Sequence, residues 1–502
     1  MSDVTYARLR ATDPGRWRAA AFAWRAWAAL AGHWSAEFGP HLARLTSAWF
    51  GAAATAAATR LATLRRGLIL FRLMCWEVDQ ALSEFAAALG RAKTLLARAV
   101  GAIPSASAVA DAARVDQALG VAAAADTAAA GRLAEVTAAA VAPEVPPAPG
   151  SPLPPCTATP AQVRRWWDAL TPEQRRWLVA TQPGWLGPLD GVPVGFRDLA
   201  NRLLLDDRHA ELNRAAAGAR GGDLRRIRDL RLGLDRLADR LADADGPRAY
   251  LLRLDLAEEG RAVVALGDPD RADNVLTSVP GMTAGLASYR GELVRAERVA
   301  VRAAELGPDA ATSAVMWLDY DAPDFIDEAA GAGRAEAGAV QLRRFQQGLR
   351  ATHDGGPAHQ TVLGHSYGSL VVGTAARTPG LAADSVVFVG SPGVGVDSAS
   401  QLHVPRGQVW STTSRSDVIQ YAAVSPRSLI EDLAVSAAVP AIGPWYAFGR
   451  PEDDLWFGRN PSDPAFGAHL FASQWNAGHL GYWDVGRPAL DGITSITLGR
   501  AR

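Results

Sequence analysis

The stretch Gly364-His-Ser366-Tyr-Gly368 sets a serine between two glycines, directly after the apolar run TVL and directly before small residues. This is the pattern of a nucleophile elbow, a tight strand-to-helix turn that tolerates only small neighbours and exposes a serine hydroxyl above a sheet. A pentamer of this kind also arises by chance, so the strand-like run before it and the Gly, Ala and Val residues after it matter more. The pattern predicts that Ser366 attacks an acyl bond.

A serine hydroxyl is a weak nucleophile, so it needs a base that accepts its proton and an acid that orients the base. In elbow-type hydrolases both follow the serine in the chain. Asp417 ends the strand-like run QVWSTTSRSD and is our preferred acid. The rivals are Asp397, in a Gly-rich loop, and Asp384, which precedes its strand and so belongs to the wrong edge of the sheet.

Two histidines follow Asp417 and are the candidates for the base. We prefer His479, because it lies in NAGHLGYWD, whose small residues let an imidazole reach inward. His469 lies in FGAHLFASQW, which is compatible with a strand. His365, inside the elbow, would have to fold back across its own turn, so we expect a packed or hydrogen-bonded neighbour.

Acyl transfer passes through an oxyanion that needs two N–H donors. One is expected from the backbone of Tyr367, the residue after the nucleophile. For the second we choose Met282 in VPGMT, which follows the strand-like run NVLTSV. The alternative for that segment is an ordinary Pro-Gly turn.

The elements that must position these residues change character along the chain. Residues from about 14 to 140 are Ala-rich with almost no strand signal and predict a helical hairpin or bundle, with Gly39-Pro40 interrupting its first helix. From about 249, strand-like and helical runs alternate, which predicts a mainly parallel sheet with helices on both faces. The predicted domains are a helical hairpin or bundle over 1–142, a Pro-rich linker over 143–162, a helical lead-in over 163–248 that packs on the catalytic domain, and an α/β catalytic domain over 249–502.

The composition narrows the classes of function. The net charge is -1, from 51 basic and 52 acidic side chains, so the chain as a whole has no field that draws it to nucleic acid or anionic lipid. The two cysteines lie in unrelated contexts and predict no disulfide framework. We find no phosphate-binding loop and no metal-binding motif, so we expect no cofactor and no metal. Without a signal peptide or a long apolar segment, we expect a cytoplasmic protein with no integral membrane segment.

Several separated motifs resemble those of the actinobacterial α/β-hydrolase family of unknown function. They are RAVVALGDPDRADNVLTSVPGM, SAVMWLDYDAP, TVLGHSYGS, FVGSPGVGVD, NPSDPAFGA and GHLGYWD, with the upstream block WWDALTPEQRRWLVATQPGWLGPLDGVPVGFRDLANRLLL. The resemblance covers about 163 to 498. It implies an α/β-hydrolase fold behind the all-α N-terminal region, and a serine-hydrolase triad of Ser366, Asp417 and His479.

The N-terminal block is similar to the WXG-type helical hairpins of type VII secretion substrates, in which a Trp-x-Gly turn joins two antiparallel helices. Trp49-Phe-Gly51 lies between two helical runs and would be that turn. The resemblance implies a helical partner for residues 14–140 and export by a type VII-like route as the alternative to a cytoplasmic location.

The residues and the resemblance together lead to an expected activity. We expect a carboxylesterase-like or lipase-like serine hydrolase that acts on a small-molecule acyl or ester substrate. The alternatives are an acyltransferase with the same triad, or a helical targeting or partner-binding module fused to a degenerate hydrolase domain. The apolar segment 425–460 is a candidate lid or acyl-binding wall, with core packing as the other option.

Overall fold

The computed structural model describes residues 4–101, 108–141, 153–324, 326–329, 331–419 and 454–501. The helices are α1 (Tyr6–Ala11), α2 (Pro14–Ala48), α3 (Ala52–Gly101), α4 (Ala108–Val141), α5 (Pro160–Asp168), α6 (Pro172–Thr181), α7 (Pro183–Leu186), α8 (Val194–Ala216), α9 (Gly221–Ala242), α10 (Tyr289–Leu306), α11 (Ile326–Ala329), α12 (Gly333–Thr352), α13 (Tyr367–Ala376) and α14 (Pro488–Thr497). The strands are β1 (Ala249–Asp255), β2 (Arg261–Leu266), β3 (Asn274–Val279), β4 (Thr312–Leu318), β5 (His359–His365), β6 (Ser385–Val389), β7 (Val409–Thr412), β8 (Asp454–Leu455), β9 (Gly458–Arg459) and β10 (His469–Leu470).

The N-terminal region is a helical hairpin, formed by α2 and α3, with α4 packed along α3. Small side chains such as Ala21, Ala28 and Ala31 are buried on α2, which lets α3 approach closely. The turn between the two helices contains Gly51 at φ 108°, a conformation that glycine adopts without strain. The predicted all-α N-terminal region is therefore confirmed.

The helix α2 continues through Pro40, so the expected interruption at Gly39-Pro40 is wrong. A proline inside a helix removes one backbone hydrogen bond and costs about 3 kcal/mol. Pro40 lies on the exposed side of α2, and so does Ala36, whose carbonyl loses its partner. Water can solvate that carbonyl, and packing against α3 on both sides of the proline holds the helix together.

The lead-in helices begin at well-defined caps. Thr159 and Gln162 form a capping box at the start of α5, and Thr171 and Gln174 form another at the start of α6. These helices pack Trp167 and other apolar side chains against α3. The predicted domain boundaries remain a prediction, and residues 143–152 of the proposed linker lie outside the described residues.

A network of buried ion pairs joins the hairpin to the lead-in helices and to the start of β1. Arg25 of α2 contacts Asp79 of α3 at 2.8 Å, and Arg202 contacts Asp198 within α8 at 2.8 Å. Arg248, directly before β1, lies 3.1 Å from Asp79 and 3.0 Å from Asp198, and so connects the two pairs. All five side chains are buried, so each charge depends on its partners rather than on water.

The main sheet has the strand order β1-β2-β4-β3-β5-β6-β7-β10. The pairs from β4 to β10 in that order are parallel, whereas β1 and β2 form an antiparallel edge. Neighbouring residues of β5 face opposite layers: Val362 packs in the cluster that contains Val371 of α13, and Leu363 in the cluster that contains Ile493 of α14. The predicted mainly parallel sheet with helices on both faces is confirmed.

The register brings the carboxyl ends of four strands together. Val279 of β3 lies beside Gly364 of β5, and His365 lies beside Val389 of β6, which in turn lies beside Thr412 of β7. Because parallel strands end at the same edge, the loops after β3, β5, β6 and β7 meet there. This edge holds the candidate site. Among the described helices, none is long and apolar enough to cross a bilayer.

Candidate active site

Ser366 occupies the turn between β5 and α13 with a strained backbone. Its φ is 54° and its ψ is -131°, in a region that a residue with a Cβ rarely adopts. Such a conformation costs about 1–3 kcal/mol and persists only where the surroundings hold it. Here the Ser366 N–H donates to the carbonyl of Val389 on β6 at 3.0 Å, which ties the turn to the neighbouring strand.

The flanking glycines make this turn possible. A Cβ on Gly364 would come within 2.7 Å of the backbone nitrogen of Ser369. A Cβ on Gly368 would lie 2.5 Å from the carbonyl oxygen of Pro280, after β3. Neither contact can relax by a side-chain movement, since both obstacles are backbone atoms. The glycines of the pentamer are therefore required by packing.

Asp417 and His479 form a hydrogen-bonded pair at the same edge of the sheet. The Nδ1 of His479 lies 2.8 Å from Oδ1 and 3.0 Å from Oδ2 of Asp417. The carboxylate is fully buried and also accepts from the Ile419 N–H at 2.9 Å and the Tyr482 hydroxyl at 2.5 Å. A carboxylate accepts hydrogen bonds, so Nδ1–H of His479 is the donor to Asp417, and in the neutral tautomer with that N–H the Nε2 atom is the acceptor.

The rival residues lie elsewhere and have other partners. Asp397 accepts from the backbone N–H of Arg459 at 3.1 Å. Asp384 precedes β6 and pairs with Arg350. His469 lies in β10, where its ring centroid is 4.9 Å from that of Trp410.

His365, the residue before the serine, supports the loop that carries His479. Its Nε2 donates to the backbone carbonyl of His479 at 2.9 Å, and the two rings are 4.7 Å apart between centroids. Burial, together with the neighbouring His479, lowers the pKa of His365 well below its usual value, so the ring is neutral. As expected from the sequence, His365 is a packed, hydrogen-bonded neighbour.

The remaining contact of the predicted triad is a hydrogen bond between the Ser366 hydroxyl and the His479 imidazole. Within the described part of the chain, no hydrogen bond joins the Ser366 hydroxyl to the His479 ring. The two residues are nevertheless adjacent through His365, which is bonded to Ser366 in the chain and to the His479 carbonyl in space. Catalytic hydrogen bonds of ligand-free enzymes are often long and shorten when substrate binds.

The loop after β3 passes directly beside the serine. A Cβ on Gly281 would lie 2.6 Å from the Cβ and 3.1 Å from the Oγ of Ser366, so only glycine fits at this approach. Two residues after Gly281, the Thr283 N–H donates to the Pro323 carbonyl at 2.8 Å. The backbone N–H groups of Met282 and Tyr367 have no acceptor among the described residues. Two amides without an acceptor among the described residues thus lie next to Ser366 or to Gly281, which approaches it.

Two residues of this site escaped sequence analysis. Tyr482 connects the Asp417 carboxylate to the Ser414 N–H, from which its hydroxyl accepts at 2.9 Å. Gly390 directly follows β6 with a φ of 53°, and a Cβ there would lie 2.6 Å from Oδ2 of Asp417. The signal for Tyr482 was its place three residues after His479. No sequence pattern pointed to Gly390, because its contact with Asp417 depends on the register between strands.

Most of the segment 425–460, the candidate lid or acyl-binding wall, lies outside the described residues. Its described end contains the short hairpin of β8 and β9. Between these strands, the N–H of Phe457 donates to the Pro392 carbonyl at 3.1 Å, and its ring packs edge-on against Tyr367 with centroids 6.0 Å apart. Phe457 therefore packs on the residue that follows Ser366.

Comparison with known proteins identifies related chains. A family model described as alpha/beta hydrolase matches residues 255–426, a range that includes Ser366 and Asp417 but not His479. The chain is 33% identical to the uncharacterized protein Rv2079 of Mycobacterium tuberculosis over 314 residues, which are 55% of this chain and 47% of the relative. It is 36% identical to the uncharacterized protein Rv0963c of the same organism over 190 residues, which are 35% of this chain and 71% of the relative. The chain thus spans about half the length of the first of these relatives, and no solved structure matches it.

Proposed function

The chain belongs to the α/β-hydrolase family, and from this premise we propose that it is a serine hydrolase that cleaves an ester or related acyl bond. The observation that carries the proposal is the strained serine at the elbow, which shares one sheet edge with a buried carboxylate hydrogen-bonded to a partly exposed imidazole. A strained serine turn alone is a local feature, and an Asp–His pair alone is common. Together they supply a nucleophile, a base and an orienting acid.

In the proposed first step, the Ser366 oxygen attacks the carbonyl carbon of the substrate while Nε2 of His479 accepts the hydroxyl proton. The Asp417 carboxylate holds Nδ1–H, so the ring keeps the tautomer that leaves Nε2 free, and it stabilises the imidazolium that forms. The Tyr367 and Met282 N–H groups donate to the oxyanion of the tetrahedral intermediate.

In the second step, the imidazolium gives its proton to the leaving alcohol as the bond between carbonyl carbon and alcohol oxygen breaks. The acyl group remains on Ser366. Water then attacks the acyl-enzyme with His479 again as the base, releasing the acid and restoring the serine hydroxyl. We assign no acyl-chain length, and we place the activity with carboxylesterases and lipases by bond type.

A fluorophosphonate probe and a chromogenic short-chain ester test this proposal directly. We expect a covalent adduct on Ser366 of the folded wild-type chain, no adduct with Ser366→Ala, and a loss of turnover of about 10⁴-fold or more with Ser366→Ala or His479→Gln. The absence of an adduct on folded wild-type protein would contradict the proposal.

The rival residues provide matched controls. Asp417→Asn is expected to lower turnover by about 10⁴-fold, because the amide favours the wrong imidazole tautomer. Asp397→Asn and His469→Gln make the same chemical changes at residues that do not contact the pair, so we expect them to leave turnover within about threefold. Equal losses in both sets would show that the acid and the base are misassigned.

A further inference from the structure

The outward side of α2 carries large apolar side chains where a soluble helix normally carries polar ones. The residues buried against α3 are mostly small, including Ala21, Ala28, Ala31 and Ser35. The exposed large apolar residues of this helix are Trp17, Phe22, Trp24, Trp27, Leu30 and Trp34. Trp27, Leu30 and Trp34 follow the spacing i, i+3, i+7 and so form one stripe along the helix. Contiguous exposed apolar surface of this kind marks an interaction surface.

The tip of the hairpin continues this apolar surface. Trp49 and Phe50 form the turn between α2 and α3, and they are 47% and 81% exposed. The helix α6 reaches the hairpin at Leu42 and Ala62, which line a cleft with Trp177. The eight residues from Leu42 to the tip add about 12 Å of helix. The aromatic tip therefore projects beyond that contact.

The arm that consists of α2 and the first part of α3, residues 14–72, carries far more basic than acidic side chains. Residues 14–72 contain eight arginines, no lysine, and Glu37 as the one acidic residue, so the arm has a formal charge of +7 in a chain whose net charge is -1. The exposed arginines that form no salt bridge with any described residue are Arg16, Arg18, Arg44, Arg60, Arg65 and Arg66. The near-neutral net charge of the whole chain conceals this cationic region.

Exposed tryptophans interleaved with cations match the chemistry of a lipid–water interface. Tryptophan favours the headgroup level of a bilayer, and helices with basic and aromatic residues lie in the plane of anionic membranes. A second copy of the arm would bring +7 against +7. A polyanion such as DNA would use the arginines but would leave Leu30 and Phe50 without an apolar partner.

We propose that the arm formed by residues 14–72 docks this protein on an anionic lipid surface. The arginines contact lipid phosphates and carboxylates, and the Trp49–Phe50 tip together with the Trp27–Leu30–Trp34 stripe enters the headgroup region. The proposal concerns the hairpin alone and does not depend on the chemistry at Ser366.

Co-sedimentation of the full chain with lipid vesicles tests the docking. We expect the protein to pellet with vesicles of phosphatidylcholine containing about one third phosphatidylglycerol, to stay in solution with pure phosphatidylcholine, and to be released by high salt. Each basic side chain at such a surface contributes about fivefold in affinity, so Arg60→Gln, Arg65→Gln and Arg66→Gln together should lower the partition constant by about 100-fold.

A matched triple variant distinguishes an effect of the arginines on the arm from an effect of the net charge of the whole chain. Arg225→Gln, Arg228→Gln and Arg231→Gln remove the same charge from exposed positions of α9, where aspartates interleave, and should change the partition constant by less than about twofold. A third variant, Trp49→Ala with Phe50→Ala, removes apolar surface at an exposed turn without touching charge, and should weaken vesicle binding by at least about tenfold.

Three outcomes would overturn the proposal: no pelleting of wild-type protein, equal losses for the α3 and α9 triple variants, or no effect of the tip variant. Binding to a DNA duplex that exceeds vesicle binding and ignores the tip variant would instead assign the arm to nucleic acid. Circular dichroism melts of every variant check that the hairpin remains folded.

Discussion

At the scale of single residues, Tyr482 is the least expected participant in the candidate site. Its hydroxyl donates to Oδ2 of Asp417 and accepts from the Ser414 N–H, so it connects the proposed acid to the loop after β7. Burial, with the Asp417 carboxylate, raises the pKa of Tyr482 far above its usual value, so the phenol remains a hydrogen-bond donor throughout the working pH range. Asp417 thereby has one charge-assisted hydrogen bond in addition to those from His479 and Ile419.

Tyr482→Phe should lower kcat/KM by about tenfold or more, because a hydrogen bond to a charged group contributes about 1.5–3 kcal/mol. The change also removes the hydrogen bond from the Ser414 N–H to the tyrosine hydroxyl. The measurement is ester turnover together with urea unfolding. A loss of stability with unchanged turnover would show that Tyr482 supports the loop without positioning the acid.

Tyr289→Phe is the matched control for this substitution. The Tyr289 ring is as deeply buried as that of Tyr482, but its hydroxyl has no hydrogen-bond partner among the described residues. Removing that oxygen should leave turnover unchanged and the free energy of unfolding equal or slightly higher.

At the scale of elements, the strand-turn-helix unit around Ser366 depends on glycines that face backbone atoms. Gly368→Ala would place a methyl group against the carbonyls that end β3, and the strand and helix would have to separate. We expect a loss of about 2–4 kcal/mol in the free energy of unfolding, or a failure to fold, and a large loss of probe labelling.

Gly291→Ala is the comparison for this prediction. Gly291 lies in the first turn of α10, where a Cβ would have no atom within 4 Å, and helical alanine is favoured over glycine by up to about 1 kcal/mol. This variant should be neutral or slightly more stable in urea unfolding. Similar losses at Gly291 and Gly368 would contradict the packing explanation.

Sequence periodicity and motif order predicted much of this architecture. The β/α alternation after residue 249 was sufficient to predict the class of sheet, and the position of Asp417 after a strand-like run predicted the sheet edge at which the structure places it. Local sequence could not predict contacts that depend on register, such as Gly390 against Asp417. Local sequence also overestimated the helix-breaking effect of Pro40. The free energy of one lost hydrogen bond is small beside that of packing a whole hairpin.

At the scale of the whole molecule, the buried charges around Arg248 connect the helical hairpin to the lead-in helices and to the first strand of the main sheet. Burial alone would raise the pKa of Asp79, but Arg248 and Arg25 outweigh it and hold this pKa below its usual value. The carboxylate is thus charged, and the two arginine side chains are largely buried.

Asp79→Asn should lower the free energy of unfolding by about 3–5 kcal/mol, because two buried guanidinium groups lose a counter-charge. Asp111→Asn removes a carboxylate from an exposed pair with Arg114 on α4 and should cost less than about 0.5 kcal/mol. Urea unfolding of both variants provides the comparison. A loss under about 1 kcal/mol for Asp79→Asn would show that water reaches the network.

The same network also constrains how the chain is made. Asp79 and Arg248 are 169 residues apart, so at 5–20 residues per second roughly 10–30 s pass between their synthesis. During that interval Asp79 has Arg25 of α2 as its ionic partner, while the hairpin surface that will receive β1 is uncovered. The interface between hairpin and sheet can form only late in translation. This protein therefore has a long interval in which chaperones can bind that exposed surface.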